Sequence, residues 1–355
     1  MPSIIDEFDL NKERYESFSK MLRSLLSSLI LSEGINVHSI SARVKNRESL
    51  EKKIVSKGSY SNIEDITDVI GVRIITHFAD EVDDIAKVIE GEFNIDRSNS
   101  IDKRATLEPD RFGYLSLHYV VGLDDSRSVL KEYLPYSNLK AEVQIRSILQ
   151  HTWAEIEHDI GYKSSSDVPH SIRRQFSRLA GLLELADDEF IKIKKSLKDY
   201  KSHVSVEIEK NFELDDLTLD KISYEGYLKS SPLINKIQRE VMEETGVNMT
   251  FGLSSASPFK QLSYFSIDTI KELDNAFLRL EDKVKSRVIS VISKLDREDI
   301  RRFPIEVLGI YLAQALAFEK GGIQNLIKFI TDNQVRSGEK AEEFASELVR
   351  SFTSN

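Results

Sequence analysis

Within residues 141–146, Ala141, Val143 and Ile145 alternate with Glu142, Gln144 and Arg146. A period of two belongs to a β-strand, whose successive side chains point to opposite faces. One face is then apolar, and the other carries a carboxylate, an amide and a guanidinium. Residues 115–121 repeat the pattern, with Leu115, Leu117, Tyr119 and Val121 set against Ser116, His118 and Val120. Two such strands require a sheet with one buried face and one polar face. The polar face either meets solvent or lines a groove.

Composition narrows the setting. A chain of 355 residues, 40% of them hydrophobic, can bury a sizeable core and suggests two or three domains. A net charge of −10 argues against a general nucleic-acid or anionic-membrane binder but leaves room for a local basic site. With no cysteine there are no disulfides and no thiolate metal sites. The first residues carry acids where a signal peptide has bases, and the longest apolar runs, such as residues 307–318, are too short to span a bilayer. The expectation is a soluble cytoplasmic protein with no membrane association.

Apolar residues at helical spacing predict a first helix over residues 12–31. A second helix is expected from Ser39 or Ser41 to about Ser56, with Gly58 ending it. It is rich in cations: Arg43, Lys45, Arg47, Lys52, Lys53 and Lys57 against Glu48 and Glu51. Residues 71–78 read as a buried strand, 80–90 as an amphipathic helix, 93–95 as a short strand and 102–111 as a charged loop. The strands at 115–121 and 139–146 follow. A helix at 147–163 carries the only tryptophan, Trp153, expected in the core. From Val168 onward the pattern is mostly helical. A stripe runs Ile267, Ile270, Leu273, Phe277, Leu280, Val284, Val288, Ile292 and Leu295, and residues 248–263 read as a connecting loop.

Asp68 precedes one strand and Glu142 lies within another. Two carboxylates near a basic helix are the parts of a magnesium–phosphate site, because magnesium takes one or two carboxylates and fills its shell with phosphate oxygens and water. Lys45, Ser49 and Lys53, four apart, would present two ammoniums and a hydroxyl to a phosphate chain. Arg43 and Arg73 have planar guanidiniums suited to stacking on a base. Each also has a plainer reading, as a capped loop, a surface ion pair or a solvated face. His118 and Tyr114 leave the same choice open. The dipeptide His158-Asp159, with His151 before it, lacks the rest of a phosphohydrolase metal set and reads as structural.

In order, Arg43-Val-Lys45 with Ser49 and Lys53, residues 68–73, residues 112–118, residues 142–146, and residues 153–158 followed by Tyr162-Lys163 resemble the synthetase domain of the RelA/SpoT alarmone synthetases. The resemblance covers about residues 40–163. It implies an α+β fold, a nucleotidyltransferase-like mixed β-sheet flanked by helices, followed here by a mostly helical C-terminal region. The expected divisions are an N-terminal helix at 1–36, the synthetase domain at 37–165, a helical connector at 166–212 and a helical domain at 213–355. The family moves pyrophosphate from ATP to the ribose 3′-hydroxyl of GDP or GTP, making (p)ppGpp. The resemblance makes Asp68 and Glu142 the Mg2+ ligands and catalytic carboxylates. It places Arg43 and Arg73 on adenine and Lys45, Ser49 and Lys53 on the ATP phosphates. Tyr114, His118, Gln144 and Glu157 become acceptor contacts.

Where the family often has Asn and Arg around the Gly-Tyr pair, this chain has Phe112 and Leu115. That leaves the acceptor open to a tRNA 3′ end or an adenosine nucleotide. Arg297, Arg301 and Arg302 speak for RNA and the net charge against it. A nucleotide sensor is the non-enzymatic alternative. About forty residues before the basic helix are too few for the hydrolase of the long family members. The helices that flank such domains often make homo-oligomers, a role open to the 267–295 stripe, although an internal core is its more ordinary use.

Overall fold

The computed structural model describes residues 3–58, 60–102, 116–161, 169–210, 217–254, 257–295 and 301–353. Its contacts divide the chain into two compact units, Met1–Lys195 and Ser196–Asn355.

The first unit runs α1 (Ile4–Ser32), β1 (Val37–Val44), α2 (Arg47–Lys57), β2 (Ile70–Thr76), α3 (Glu81–Glu92), β3 (Phe93–Ile95), β4 (Ile101–Asp102), β5 (Leu117–Leu123), α4 (Asp125–Ser128), β6 (Lys140–Ser147) and α5 (Ile148–Gly161). The long helix α6 (His170–Lys210) begins in this unit and ends in the second. The strands lie in the order β1-β2-β6-β5-β3, with β4 also paired to β5. β2 and β6 are parallel and the other pairs antiparallel, so the sheet is mixed. Its apolar face, with Val72, Ile74, Leu117, Tyr119, Val143 and Ile145, packs on Phe18, Leu22 and Leu26 of α1 and on Ile85 and Ile89 of α3. Each such fully buried aliphatic side chain contributes about 1.5–3 kcal/mol. Both amphipathic helices are spent on this one face, which leaves the opposite face open for the polar set.

One expected element is corrected. Residues 39–44 are not the start of the basic helix but strand β1, paired with β2 from Ser39↔Ile75 to Val44↔Ile70. The alternation of Ile40, Ala42 and Val44 across a sheet outweighs the local run of cations. The helix starts later because the Asn46 side chain accepts a hydrogen bond from the Ser49 N–H at 2.8 Å, an N-cap. It stops at Gly58, whose φ of 59° suits glycine. Lys45 therefore stands at a strand end and only Ser49 and Lys53 share a helical face.

The second unit holds α7 (Lys221–Ser230), α8 (Pro232–Thr245), β7 (Asn248–Thr250), α9 (Phe259–Ser263), α10 (Ile270–Ile292), β8 (Arg302–Pro304), α11 (Leu308–Asp332) and α12 (Glu339–Thr353). The stripe expected from the sequence is a core. Ile267, Ile270, Leu273, Phe277, Leu280, Val284, Val288 and Ile292 are buried with residues of α8, α11 and α12, while Leu295 is exposed. The expected loop at 248–263 contains β7, which pairs in parallel with β8, and the short helix α9. Of the arginine cluster, Arg302 lies in β8 and Arg297 falls outside the described residues. Among the described residues no helix is long and apolar enough to cross a membrane.

Candidate functional site

The polar face of the first sheet is a groove. In register across it, Arg43 pairs with Gly71, and Gly71 with Glu142; one step along, Ser41 pairs with Arg73, Arg73 with Gln144, and Gln144 with His118. A cleft of about 460 Å³, within the 300–1,000 Å³ usual for small-molecule sites, is lined by Arg43, Lys45, Ser49, Asp68, Arg73, Glu142 and Gln144, among others. A second cleft, lined in part by Arg43, Arg73, Gln144, Arg146, Trp153 and Glu157, shares three of these residues with the first. Gly71 forms part of the first floor, and nothing lies within 4 Å of where its Cβ would stand.

Asp68 sits in the turn before β2 and is gripped from two elements. Lys45 Nζ, at the end of β1, lies 2.9 Å from Oδ2, and Lys53 Nζ, on α2, lies 2.7 Å from Oδ1. Burial pushes the Asp68 carboxyl up, but the hydrogen bonds and charges of the two lysines push it down further, and it titrates below the usual carboxylate range. The sequence assigns these lysines to a phosphate chain; the contact they make is with this carboxylate.

Glu142 is held differently. Its Oε1 lies 2.7 Å from His118 Nδ1, and His118 Nε2 lies 2.7 Å from Ser116 Oγ. A carboxylate only accepts, so Nδ1 carries a proton and donates it to Glu142, while Nε2 shares the second hydrogen bond with the Ser116 hydroxyl. The Gln144 amide lies 3.4 Å from Glu142 Oε2 and in turn accepts from Arg146 at 3.0 Å. Burial raises the Glu142 carboxyl, the bond from His118 lowers it, and the charge of Asp68 raises it; the balance is below the usual range. Asp68 and Glu142 both line the first cleft, so the two carboxylates face a common space.

The structure thus brings together Arg43, Lys45, Ser49, Lys53, Asp68, Arg73, Glu142 and Gln144, with Glu157 on the second cleft. His118 is buried beneath Glu142 with both ring nitrogens engaged, and it lines neither of these two clefts; the contact it makes is support of the carboxylate. Tyr114, Phe112 and Leu115 lie outside the described residues. Trp153 is half-exposed on the second cleft, edge-on to Phe176, rather than in the core. His158 lines the same cleft. Sequence alone assigns no role to Ser116, although its period-two position puts it on His118's face. Nor does it assign one to Glu155, whose partner comes from another strand and leaves no local signal.

Among the described residues no group of three His, Cys, Asp or Glu forms a metal cage. Two carboxylates facing one space are nonetheless the hard oxygen donors that magnesium takes alongside phosphate. With two ammoniums and two guanidiniums around them, the set has the chemistry to receive a polyphosphate.

Comparison with known proteins gives the same class. Residues 42–167 match the family described as a region found in RelA/SpoT proteins. GTP pyrophosphokinase YwaC of Bacillus subtilis (strain 168) is 31% identical over 160 residues, spanning 44% of this chain and 73% of that protein. GTP pyrophosphokinase YjbM of the same organism is 30% identical over 162 residues, spanning 45% and 73%. The crystal structure of the small alarmone synthetase 1 from Bacillus subtilis superposes with a TM-score of 0.47 and 24% identity, over 55% of this chain and 99% of that one. The chain belongs to the RelA/SpoT family.

Proposed function

We propose that the cleft transfers pyrophosphate from ATP to the ribose 3′-hydroxyl of GDP or GTP, making (p)ppGpp. Family membership supports the reaction. The observation that carries it on this chain is the double grip of Lys45 and Lys53 on Asp68, beside Glu142 anchored by His118. Arg43 and Arg73 flank the adenine, while Lys45, Lys53 and Ser49 take the triphosphate. Asp68 and Glu142 would hold Mg2+, which would supply charge neutralisation at the phosphates.

The acceptor's 3′ oxygen attacks the β-phosphorus of ATP. The new O–Pβ bond forms as the bridging bond to the α-phosphate breaks, and AMP leaves. Glu142 receives the hydroxyl proton. Its depressed pKa makes it a weak base, so its larger part is to orient the hydroxyl, the positioning work that dominates phosphoryl-type transfer. Gln144 and Glu157 face the acceptor from the second cleft.

The test offers GDP, GTP, ADP or tRNA to the protein with γ-labelled ATP and Mg2+, beside Asp68→Ala and Glu142→Gln. Label is expected on GDP or GTP, falling by about a hundredfold or more in each variant. Label on tRNA or ADP alone would replace the acceptor. Transfer to no acceptor would leave a nucleotide sensor, and undiminished variants would remove the site assignment.

A further inference from the structure

The arginine of β2 that borders both clefts, Arg73, has a partner that the donor site does not explain. Its Nη1 lies 2.9 Å from Glu155 Oε1 on α5. Two further basic groups stand close to it. Burial, and next the charge of Arg73, lowers the pKa of Arg146; the same two causes lower that of His151. Glu155 also faces His151, at 3.8 Å. One carboxylate therefore stands among two guanidiniums and an imidazole at the boundary of the clefts.

The backbone beneath Glu155 is fixed. Ser147 and Gln150 form a reciprocal cap at the start of α5: Ser147 Oγ accepts from the Gln150 N–H at 3.1 Å, and Gln150 Oε1 accepts from the Ser147 N–H at 2.8 Å. The Ser147 hydroxyl then donates to the buried Asp187 of α6 at 2.7 Å. The helix that carries Glu155 is thereby tied to the strand that carries Glu142 and Gln144.

A guanidinium is planar. It stacks on a base with its face and donates hydrogen bonds from its edge. The ion pair with Glu155 ties the Arg73 guanidinium to α5 through Nη1. Without Glu155, Arg73 would lose the carboxylate at 2.9 Å and keep the like charge of Arg146 beside it, and it would have to be ordered when the nucleotide arrives.

We infer that Glu155 is a positioning residue: it holds the Arg73 guanidinium at the boundary of the clefts, in place for the donor base before the nucleotide binds. The inference rests on the reading of Arg43 and Arg73 as the pair that flanks adenine. A purely structural ion pair is the competing account. The Glu155 side chain is 54% exposed, and a pair so exposed adds little to stability. The two accounts part there, because positioning acts on nucleotide affinity and leaves the melting temperature alone.

The experiment titrates α,β-methylene-ATP with Mg2+ into wild type, Glu155→Gln, Glu155→Asp, Arg73→Ala and the Arg73→Ala/Glu155→Gln double variant. Glu155→Gln is expected to weaken binding about threefold to tenfold, the range that one oriented ion pair carries. Glu155→Asp should recover part of the loss, and Glu155→Gln should cost nothing further once Arg73 is gone. In turnover the ATP KM should rise while kcat stays within about twofold. Equal affinity of wild type and Glu155→Gln would overturn the inference, as would an equal loss in the Arg73→Ala background. In both cases wild type still binds the analogue and the donor reading stands. Failure of wild type itself to bind would remove the donor reading and this inference with it.

Discussion

Replacing Asp68 with Asn tests whether the two lysines are truly its counter-ions. The carboxylate touches Lys45 and Lys53 at 2.9 and 2.7 Å, and all three side chains are between 20% and 24% exposed. At an effective dielectric constant of about 20, each contact is worth roughly 6 kcal/mol of gross attraction. Dehydration of three charges cancels most of that. Asn keeps the shape and one acceptor but leaves two ammoniums side by side without a counter-charge. Against this, Asp68 repels Glu142, and its removal relieves one like-charge interaction. Two direct contacts outweigh one repulsion across the cleft, so Asp68→Asn should lose about 2 kcal/mol. Urea unfolding followed by the fluorescence of Trp153, the only tryptophan, reads the first unit, where its indole packs on Phe176. Adding Lys53→Met to Asp68→Asn should restore stability rather than add to the loss. The pH dependence has a defined sign. A carboxyl depressed in the folded state contributes its stability above the unfolded value of about 4, and loses it as pH falls through the lower folded value. The gap between wild type and variant should therefore be flat from about pH 5.5 to 8 and close only in acid. An Asp68→Asn protein as stable as wild type at neutral pH, or more so, would refute the counter-ion argument.

Two further substitutions separate fold from site. Gly71→Val places methyl groups on the cleft floor, where no atom lies within 4 Å; β-branched side chains suit strands, so the melting temperature should hold within about 2 °C while the ATP KM rises more than about tenfold. Unchanged kinetics would show that the donor lies elsewhere. In the second unit, a Cβ at Gly309 would stand 2.6 Å from the Tyr224 hydroxyl and 2.7 Å from Pro258 Cβ. Gly309→Ala should cost about 1–3 kcal/mol by overpacking and by straining the 2.7 Å bond from the Gly309 N–H to that hydroxyl, visible as earlier unfolding in far-UV circular dichroism. An unshifted transition would mean the helices part without strain.

What could be read from the sequence divides by range. The strand alternation at 141–146 depends only on neighbours two apart, and the sheet keeps it, with Ala141, Val143 and Ile145 fully buried. Gly58 marked its helix end for the same local reason. The misreading of residues 39–44 came from a competition that no local pattern settles: a run of cations looks like a solvated helix until pairing with Ile70–Thr76 makes it a strand. The roles of Lys45 and Lys53 were half legible. Their charge suggested phosphate, but their grip on Asp68 requires a turn 15 to 23 residues further on to fold back against them. His118 shows the limit most clearly. Its side of the strand was readable, while its engagement by Ser116 and Glu142 depends on rotamers and on the register of the neighbouring strand.

These contacts share one physical cause. A groove built to hold several phosphate charges must carry several cations, and an empty groove of unpaired cations would repel itself. The protein meets this by giving the cations internal carboxylates: Asp68 for Lys45 and Lys53, and Glu155 for Arg73. The two sets need not respond alike when a nucleotide enters. Ammoniums are point charges on flexible stems and can turn from a carboxylate to a phosphate with small movements. A guanidinium offers separate edge and face, so Arg73 can keep Glu155 while it accepts a base. The donor site would then exchange its lysine partners and retain its arginine partner. If the donor binds as proposed, the phosphate half of the cleft exchanges its partners while the base half keeps the one that α5 supplies.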